Sequence, residues 1–304
     1  MPKAKRPPPS ISEAAKTLIK KVIRAVERQP EPETLYHYTS APGLLGILKQ
    51  GSVWATNIRF MNDTREFGLA LELMTVALER RSSDGTSRFM SALHQVLREA
   101  LRSASSTEFY VSSFSEDGDQ LSQWRGYCPS GSGYSIGVRP ITLTEADADG
   151  MRFLVPCIYD KGEHKQLVET VTNDVIAFAN TYWTGPDSSD RVLRESFKVF
   201  ERVVSLLGPA LKDTTFREEV EWRLVSLPSA FSAQALEFRP GRATLVPYFS
   251  HPLGMDGDVP LIAEIVIGPT AYPDLARRAA EDLLRKYRLR RTRIRASTIP
   301  FRDW

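Results

Sequence analysis

Apolar residues recur every three to four positions along several stretches of the chain, and this period predicts amphipathic helices. The clearest stretch is residues 11–29, where one predicted face carries only apolar side chains, namely Ile11, Ala15, Leu18, Val22 and Val26. Further helices are predicted over residues 41–50, 63–82, 86–104, 119–127, 162–183, 190–210 and 273–287. Residues 1–10 are basic and rich in proline, which predicts a disordered tail.

Shorter stretches alternate between apolar and polar residues or are apolar throughout, and both patterns predict β-strands. They cover residues 35–39, 52–57, 107–115, 133–140, 151–160, 216–227, 235–249, 261–269 and 292–298. Residues 235–249 have the pattern of a hairpin that turns at Pro240 and Gly241. Because hairpins require antiparallel neighbours while the other strands interleave with helices, the sequence predicts an α+β fold with a mixed sheet. Residues 35–304 are predicted to form a single domain.

Composition adds few constraints to this picture. A hydrophobic content of 42% and a net charge of +3 in 304 residues are typical of a globular protein that needs neither nucleic acid nor an anionic membrane. Two cysteines, Cys128 and Cys157, are too few for a disulfide scaffold or a cysteine-based metal site. Since no apolar run approaches the roughly 20 residues of a membrane span, we expect a cytoplasmic protein with no metal and no membrane contact.

Six short sequence motifs follow one another along the chain: LYHYTS; FMNDTREF; SSFSED with QWRGY and GYSIGV; FREEVEWRLV; IGP; and ASTIPFR. In this order and spacing they resemble a bacterial family catalogued as domain-of-unknown-function family 2971. The resemblance extends from about residue 35 to residue 302. The family name itself implies no activity.

A second resemblance concerns function. A strand that carries His37, has the hydroxyl of Thr39 two residues later and leads into a helix is similar to the first core strand of ADP-ribosyltransferase-like folds. SSFS resembles the Ser-x-Ser strand of those folds, and Glu219 with Glu221 resembles their Glu-x-Glu motif. The resemblance implies a mixed or antiparallel two-sheet core with NAD bound, as a substrate, between the sheets.

The resemblance also implies roles for individual side chains. Glu221 would stabilise the oxocarbenium-like state that forms when the nicotinamide–ribose bond breaks. Glu219 would orient or deprotonate an acceptor, and Arg223 would fix the carboxylates or contact a phosphate. His37 would hydrogen-bond ribose hydroxyls, since a neutral imidazole both donates and accepts. Strand alternation predicts that Glu219, Glu221 and Arg223 share one face.

Each of these residues also has a structural interpretation. His37 could be a hydrogen-bonded strand histidine, and the Glu-x-Glu pair could lie on a solvated edge strand. Ser113 and Ser115 share a predicted face and could hold a ribose or position the glutamate, although Ser115 or Asp119 could instead simply cap the next helix. The remaining candidate cofactor contacts are Tyr38, Thr39, Asn62, Asp63 and Tyr127.

Two of those candidates have stated alternatives. Asp63, followed three residues later by Glu66, is also typical of a helix capping box. Tyr127 has the helical spacing to share a face with Trp124, for which core packing is the expected use, while Tyr127 is the candidate to stack on nicotinamide.

A basic stretch near the end contains Arg285, Arg288, Arg290, Arg291 and Arg293. These side chains are typical of an edge strand protected by charge, or they could bind a nucleic-acid acceptor.

The leading functional hypothesis is an enzyme that cleaves NAD and transfers ADP-ribose to a protein, a nucleic acid or water. The alternatives are a non-catalytic nucleotide-sensing or partner-binding domain of the same fold, and a nucleic-acid-processing protein that uses the arginine-rich segment. The enzyme hypothesis predicts that His37, a serine of SSFS and Glu221 line one cavity. It also predicts that Glu221→Gln lowers turnover on the order of 10²–10³-fold with stability almost unchanged.

Overall fold

The computed structural model of the chain describes residues 9–26, 32–61, 66–82, 87–128, 133–144, 152–226, 235–241, 243–257 and 259–300. The chain divides into two compact units whose segments alternate along the sequence. One unit comprises Met1–Glu27, Asp63–Thr107 and Ile158–Thr214, and the other comprises Arg28–Asn62, Glu108–Cys157 and Thr215–Trp304. The predicted tail falls mostly on residues 1–8, which lie outside the described residues.

Apart from the short helix α6, which the sequence did not predict, the helices lie close to their predicted positions. They are α1 (Ile11–Val26), α2 (Ala41–Gln50), α3 (Glu66–Ser82), α4 (Arg88–Ser106), α5 (Leu121–Tyr127), α6 (Pro140–Thr144), α7 (Lys161–Tyr182), α8 (Pro186–Leu207) and α9 (Pro273–Lys286). Within the described ranges, no helix is long and apolar enough to span a membrane.

The strands are β1 (Leu35–Ser40), β2 (Ser52–Asn57), β3 (Tyr110–Ser115), β4 (Gly133–Val138), β5 (Arg152–Pro156), β6 (Glu221–Ser226), β7 (Glu237–Pro240), β8 (Leu245–Pro252), β9 (Met255–Asp256), β10 (Val259–Pro260), β11 (Ile262–Ile267) and β12 (Arg293–Ala296). The predicted hairpin is confirmed, because β7 and β8 pair antiparallel. Strands β9 and β10 form a separate two-stranded sheet.

The first unit is helical and contains α1, α3, α4, α7 and α8. All five apolar residues predicted for one face of α1 are buried. The start of α7 is capped by Asp160, whose carboxylate accepts a hydrogen bond from the backbone N–H of Glu163 at 2.9 Å. Inside this unit the imidazole Nε2 of His164 donates to the carbonyl of Ile158 at 2.6 Å, so His164 is a satisfied core histidine.

The second unit is built on a ten-stranded sheet in the order β12-β11-β4-β1-β3-β2-β8-β7, with β6 also paired to β3 and β5 paired to β6. Its described pairs are antiparallel except β11–β12, which are parallel. The predicted α+β class with a mixed sheet is therefore confirmed. The sheet is single and forked, whereas the resemblance implied two sheets.

The fork lies at β3. One edge of β3 pairs with β6 over its whole length, from Tyr110 to Ser115. The other edge pairs with β2 only at Tyr110 and Val111, and with β1 only at Ser115, which lies opposite Tyr36. Residues 112–114 of β3 therefore have no backbone ladder partner on this edge, and the sheet divides there into two arms.

One face of the sheet carries the main apolar core of this unit. Its buried side chains include Leu35, Phe114, Ile136, Trp222 and Leu224. Helix α2 packs on the same core through Leu44, Ile47 and Leu48. Ser40 caps this helix, since its hydroxyl accepts from the backbone N–H of Gly43 at 3.2 Å.

Strand β6 is shorter than predicted. The sequence predicts a strand over residues 216–227, but Thr214–Glu219 is a 3₁₀ helix and β6 begins at Glu221. Val220, between them, has φ of 37°, a left-handed conformation that is rare for a β-branched residue. The prediction that Glu219 shares a strand face with Glu221 and Arg223 is therefore wrong, because the chain turns at Val220 before the strand starts.

Candidate functional site at the fork of the sheet

His37 lies where β1 and β3 separate. Its Nδ1 is 2.9 Å from the backbone carbonyl of Ser113, one of the β3 residues with no ladder partner on that edge. Since a carbonyl only accepts, Nδ1 carries the hydrogen and Nε2 is the acceptor nitrogen. Burial lowers the pKa of His37 below its ordinary value, partly offset by the hydrogen bond to Ser113, so the ring is neutral at neutral pH.

The strand register separates His37 from Glu221. Residues directly opposite each other in an antiparallel pair point to the same face, so Tyr36, Ser115 and Glu221 share one face. His37, the neighbour of Tyr36, points to the other face, where its ring lies 5.7 Å from the ring of Phe114. The prediction that His37 and Glu221 line one cavity is therefore wrong.

Glu221 and Arg223 form a buried ion pair. Arg223 donates from Nε to one carboxylate oxygen at 3.0 Å and from Nη2 to the other at 2.9 Å. The two side chains are only 5% and 0% exposed. The thiol of Cys157 also lies 3.5 Å from Oε2 of Glu221. Both carboxylate oxygens therefore already hold protein donors in a geometry that is strong because it is bidentate and charge-assisted.

Ser113 and Ser115 lie on the face of this ion pair, opposite Arg223 and Glu221 respectively. Ser115 donates to the carbonyl of Glu219 at 2.8 Å and accepts from the backbone N–H of Asp117, so it orders the turns at both strand ends. The buried hydroxyl of Ser113 has no hydrogen-bond partner among the described residues. The Ser-x-Ser strand pairs with the strand that carries Glu221, and Ser113 is the serine left with hydrogen-bonding capacity.

Tyr38 is held inside the protein. Its hydroxyl donates to the carbonyl of Asp117 at 2.8 Å and accepts from the backbone N–H of Gln120 at 2.9 Å. Its ring contacts Trp124 edge-to-face, with centroids 4.7 Å apart. Burial, above all, raises the pKa of Tyr38 far above its ordinary value. Tyr38 thus fixes the loop after β3, and Trp124 is a core residue, as expected.

Asp119 joins this loop to the segment after β12. Its carboxylate accepts from Nε1 of Trp124 at 2.9 Å, from the hydroxyl of Ser297 at 2.5 Å and from the backbone N–H of Thr298 at 2.9 Å. Burial acts to raise the pKa of Asp119, but these hydrogen bonds and the charge of Arg295 outweigh it and lower the pKa. The sequence suggested Asp119 only as a possible cap of the next helix, and the residue lies between the SSFSED and QWRGY motifs.

A second cluster of polar side chains lies on the sheet face that carries Tyr36 and Glu221. Glu264 on β11 accepts from the hydroxyl of Tyr36 at 3.0 Å and from Nε of Arg295 at 3.1 Å. Gly118 lies directly against this group, since a Cβ there would sit 2.5 Å from the Tyr36 ring. Desolvation and the nearby Glu264 carboxylate raise the pKa of Tyr36. Tyr36 is therefore kept as a neutral hydrogen-bond donor.

A buried histidine, His251, lies on the other arm of the fork. The nitrogens of His251 contact the hydroxyls of Ser112 at 2.8 Å and Ser226 at 2.7 Å, and the ring is fully buried. Burial, with a smaller effect of the Arg152 charge, lowers the pKa of His251 to about 3. This neutral ring ties β8 to β3 and β6.

The other predicted contacts are dispersed. Thr39 lies on the face of His37, with its side chain against Gly43. Tyr127 ends α5 with 41% of its surface exposed, so its stacking role stays a prediction. Asn62 and Asp63 lie outside the described residues. In the described part of the chain, no group of three or more histidine, cysteine or acidic side chains could hold a metal ion.

Comparison with known proteins agrees with the family resemblance that the sequence motifs indicate. No curated protein and no solved structure matches the chain. A family model matches residues 123–224, a range that begins within α5 and contains all of β4 and β5 and most of β6. The model is that of a family described as "Protein of unknown function (DUF2971)", so the chain is similar to this family over residues 123–224, in agreement with the predicted resemblance.

Proposed function

We propose that the protein is a nucleotide-binding domain of ADP-ribosyltransferase-like type that holds a ribose at His37 and does not use Glu221 to cleave it. The observation that carries this proposal is the state of His37. Its Nδ1–H is fixed on the Ser113 carbonyl, and its acceptor Nε2 has no hydrogen-bond partner among the described residues. A neutral Nε2 at the fork could accept a hydrogen bond from a ribose hydroxyl.

The strand order supports the fold type. The strand that carries His37, the Ser-x-Ser strand and the strand that carries Glu221 are neighbours in the order β1–β3–β6. In this proposal, the fork between β1 and β3 takes the place of the gap between two sheets in which the resemblance implies that NAD binds. The unpartnered hydroxyl of Ser113 points to the opposite face, that of Glu221 and Arg223, so only the backbone carbonyl of Ser113 contacts His37.

Two observations argue against cleavage through Glu221. A catalytic carboxylate has to contact the ribose where positive charge develops, yet both Glu221 oxygens accept from Arg223. Glu221 also lies on the face opposite His37. These contacts favour the non-catalytic alternative over the NAD-cleaving enzyme, which stays an untested prediction.

The test is a calorimetric titration of the purified protein with NAD and with ADP-ribose, together with chromatographic detection of released nicotinamide. We expect binding of both ligands without nicotinamide release. His37→Phe keeps the aromatic contact with Phe114 but removes the acceptor, so it should weaken binding roughly 3- to 10-fold, the value of one neutral hydrogen bond.

Ser135→Ala is the matched control, because the Ser135 hydroxyl is also buried without a partner among the described residues but lies on β4, which is paired on both sides. It should leave binding unchanged. Absence of binding by the wild type, or nicotinamide release that disappears with Glu221→Gln in still-folded protein, would contradict the proposal.

A further inference from the structure

A cavity of about 610 Å³ lies at one end of strands β1, β4, β11 and β12. Because β4 is antiparallel to β1 and β11, its end meets their beginnings there. The lining residues are Pro32, Glu33, Thr34, Arg139, Pro140, Ile141, Ala263, Arg291 and Arg293. The volume lies within the range of about 300–1,000 Å³ that is typical of small-molecule sites.

The lining carries an excess of positive charge. Three arginines face one carboxylate, and Arg139 and Arg291 form no ion pair or side-chain hydrogen bond among the described residues. Glu33 forms none there either. Arg293 is 74% exposed, and its Nε lies 3.8 Å from Glu264, so it keeps donors available. Converging guanidinium groups attract an anion and can bind its oxygens bidentately.

Edge protection explains only part of this cluster. Arg291 and Arg293 lie at the start of the edge strand β12, where exposed charges discourage pairing with another chain. Arg139 follows β4, which is an interior strand paired to both β1 and β11. Protection of an edge strand gives no reason for Arg139 to lie at this cavity, whereas a site for an anion is favoured by a further guanidinium.

We propose that this cavity binds a phosphomonoester, with the phosphate on Arg139, Arg291 and Arg293 and the body of the ligand on Pro140 and Ile141. A nucleotide 5′-monophosphate has this chemistry, either free or at the end of an oligonucleotide. Of the five arginines that the sequence singled out, Arg291 and Arg293 line the cavity, whereas Arg285, Arg288 and Arg290 do not. The site shares no residue with the ribose contact proposed at His37.

The test compares Arg139→Gln and Arg291→Gln with Arg290→Gln, an exposed arginine of the same segment outside the lining. Binding of adenosine 5′-monophosphate is measured by calorimetry at one ionic strength. Arg139→Gln and Arg291→Gln should each weaken binding about 10- to 100-fold, the value of a charged hydrogen bond, and Arg290→Gln less than about 2-fold. Equal losses in all three variants, or no binding by the wild type, would overturn the site.

Two oligonucleotides of one sequence, with a 5′-phosphate or a 5′-hydroxyl, then identify the source of the phosphate. Phosphate-dependent binding that is tighter than that of the mononucleotide assigns the site to nucleic-acid ends, and phosphate-dependent binding that is not tighter assigns it to free nucleotides. Either result supports a phosphomonoester site. Oligonucleotide binding that ignores the terminal phosphate, with no loss in Arg139→Gln, would overturn it.

Discussion

Glu221→Gln should destabilise the protein strongly, although the enzyme hypothesis predicts almost unchanged stability. The substitution removes the negative charge that faces Arg223, whose side chain is fully buried and donates to both Glu221 oxygens. Removing one partner of a buried ion pair leaves the other charge uncompensated and costs about 3–5 kcal/mol. At about 2–4 °C per kcal/mol for a domain of this size, the melting temperature should fall by about 6–20 °C.

The assay is thermal and urea unfolding followed by circular dichroism. Glu218→Gln is the matched control, because this exposed glutamate lies in the adjacent 3₁₀ helix and should change the free energy of unfolding by less than about 0.5 kcal/mol. The double variant Glu221→Leu/Arg223→Met replaces the ion pair with apolar side chains and should recover most of the loss. A free energy of unfolding within about 1 kcal/mol of wild type for Glu221→Gln would refute the reasoning.

Three further predictions follow from other contacts. The free energy of unfolding should fall as the pH drops from about 6.5 towards 3, by up to about 1.4 kcal/mol per pH unit. The reason is that in this pH range His251 takes up a proton only in the unfolded chain. Urea titrations at stepped pH should show that the free energy of unfolding depends less steeply on pH in His251→Asn than in the wild type. Asp119→Ala should lower the free energy of unfolding by about 2–4 kcal/mol, as measured by chemical unfolding. Asp117→Ala, which removes one exposed hydrogen bond to a backbone N–H, should lower it clearly less. Gly118→Ala should lower the melting temperature, because overpacking against the Tyr36 ring costs about 1–3 kcal/mol, and an unchanged melting temperature would refute the close contact.

Local periodicity predicts the elements well but not every strand face. The apolar face of α1 is buried as expected, because a helical stripe is a property of one continuous segment. The predicted strand starts at residue 216, five residues before β6 begins at Glu221, because a positive φ at Val220 turns the chain in a way that strand alternation does not reveal. Glu219 was consequently assigned to a face that it does not occupy.

Contacts between segments that are far apart in the chain could not be predicted from the sequence. Asp119 and Ser297 are 178 residues apart, and only the sheet order brings them within hydrogen-bonding distance. The same holds for Ser112, Ser226 and His251, which come from three strands. The bidentate pair of Glu221 with Arg223 is local, but alternation alone does not tell a buried pair from a solvated one, since both repeat every second residue.

The most direct test of the proposed nucleotide site is long-range ¹H–¹⁵N NMR of the four histidine side chains, recorded with and without ADP-ribose. We predict that His37 is neutral with its hydrogen on Nδ1, and that its Nε2 signal alone moves when the ligand saturates, while His94, His164 and His251 serve as internal references. An Nε2 signal of His37 that stays unchanged at saturating ADP-ribose, or a hydrogen on Nε2 in the free protein, would contradict the account.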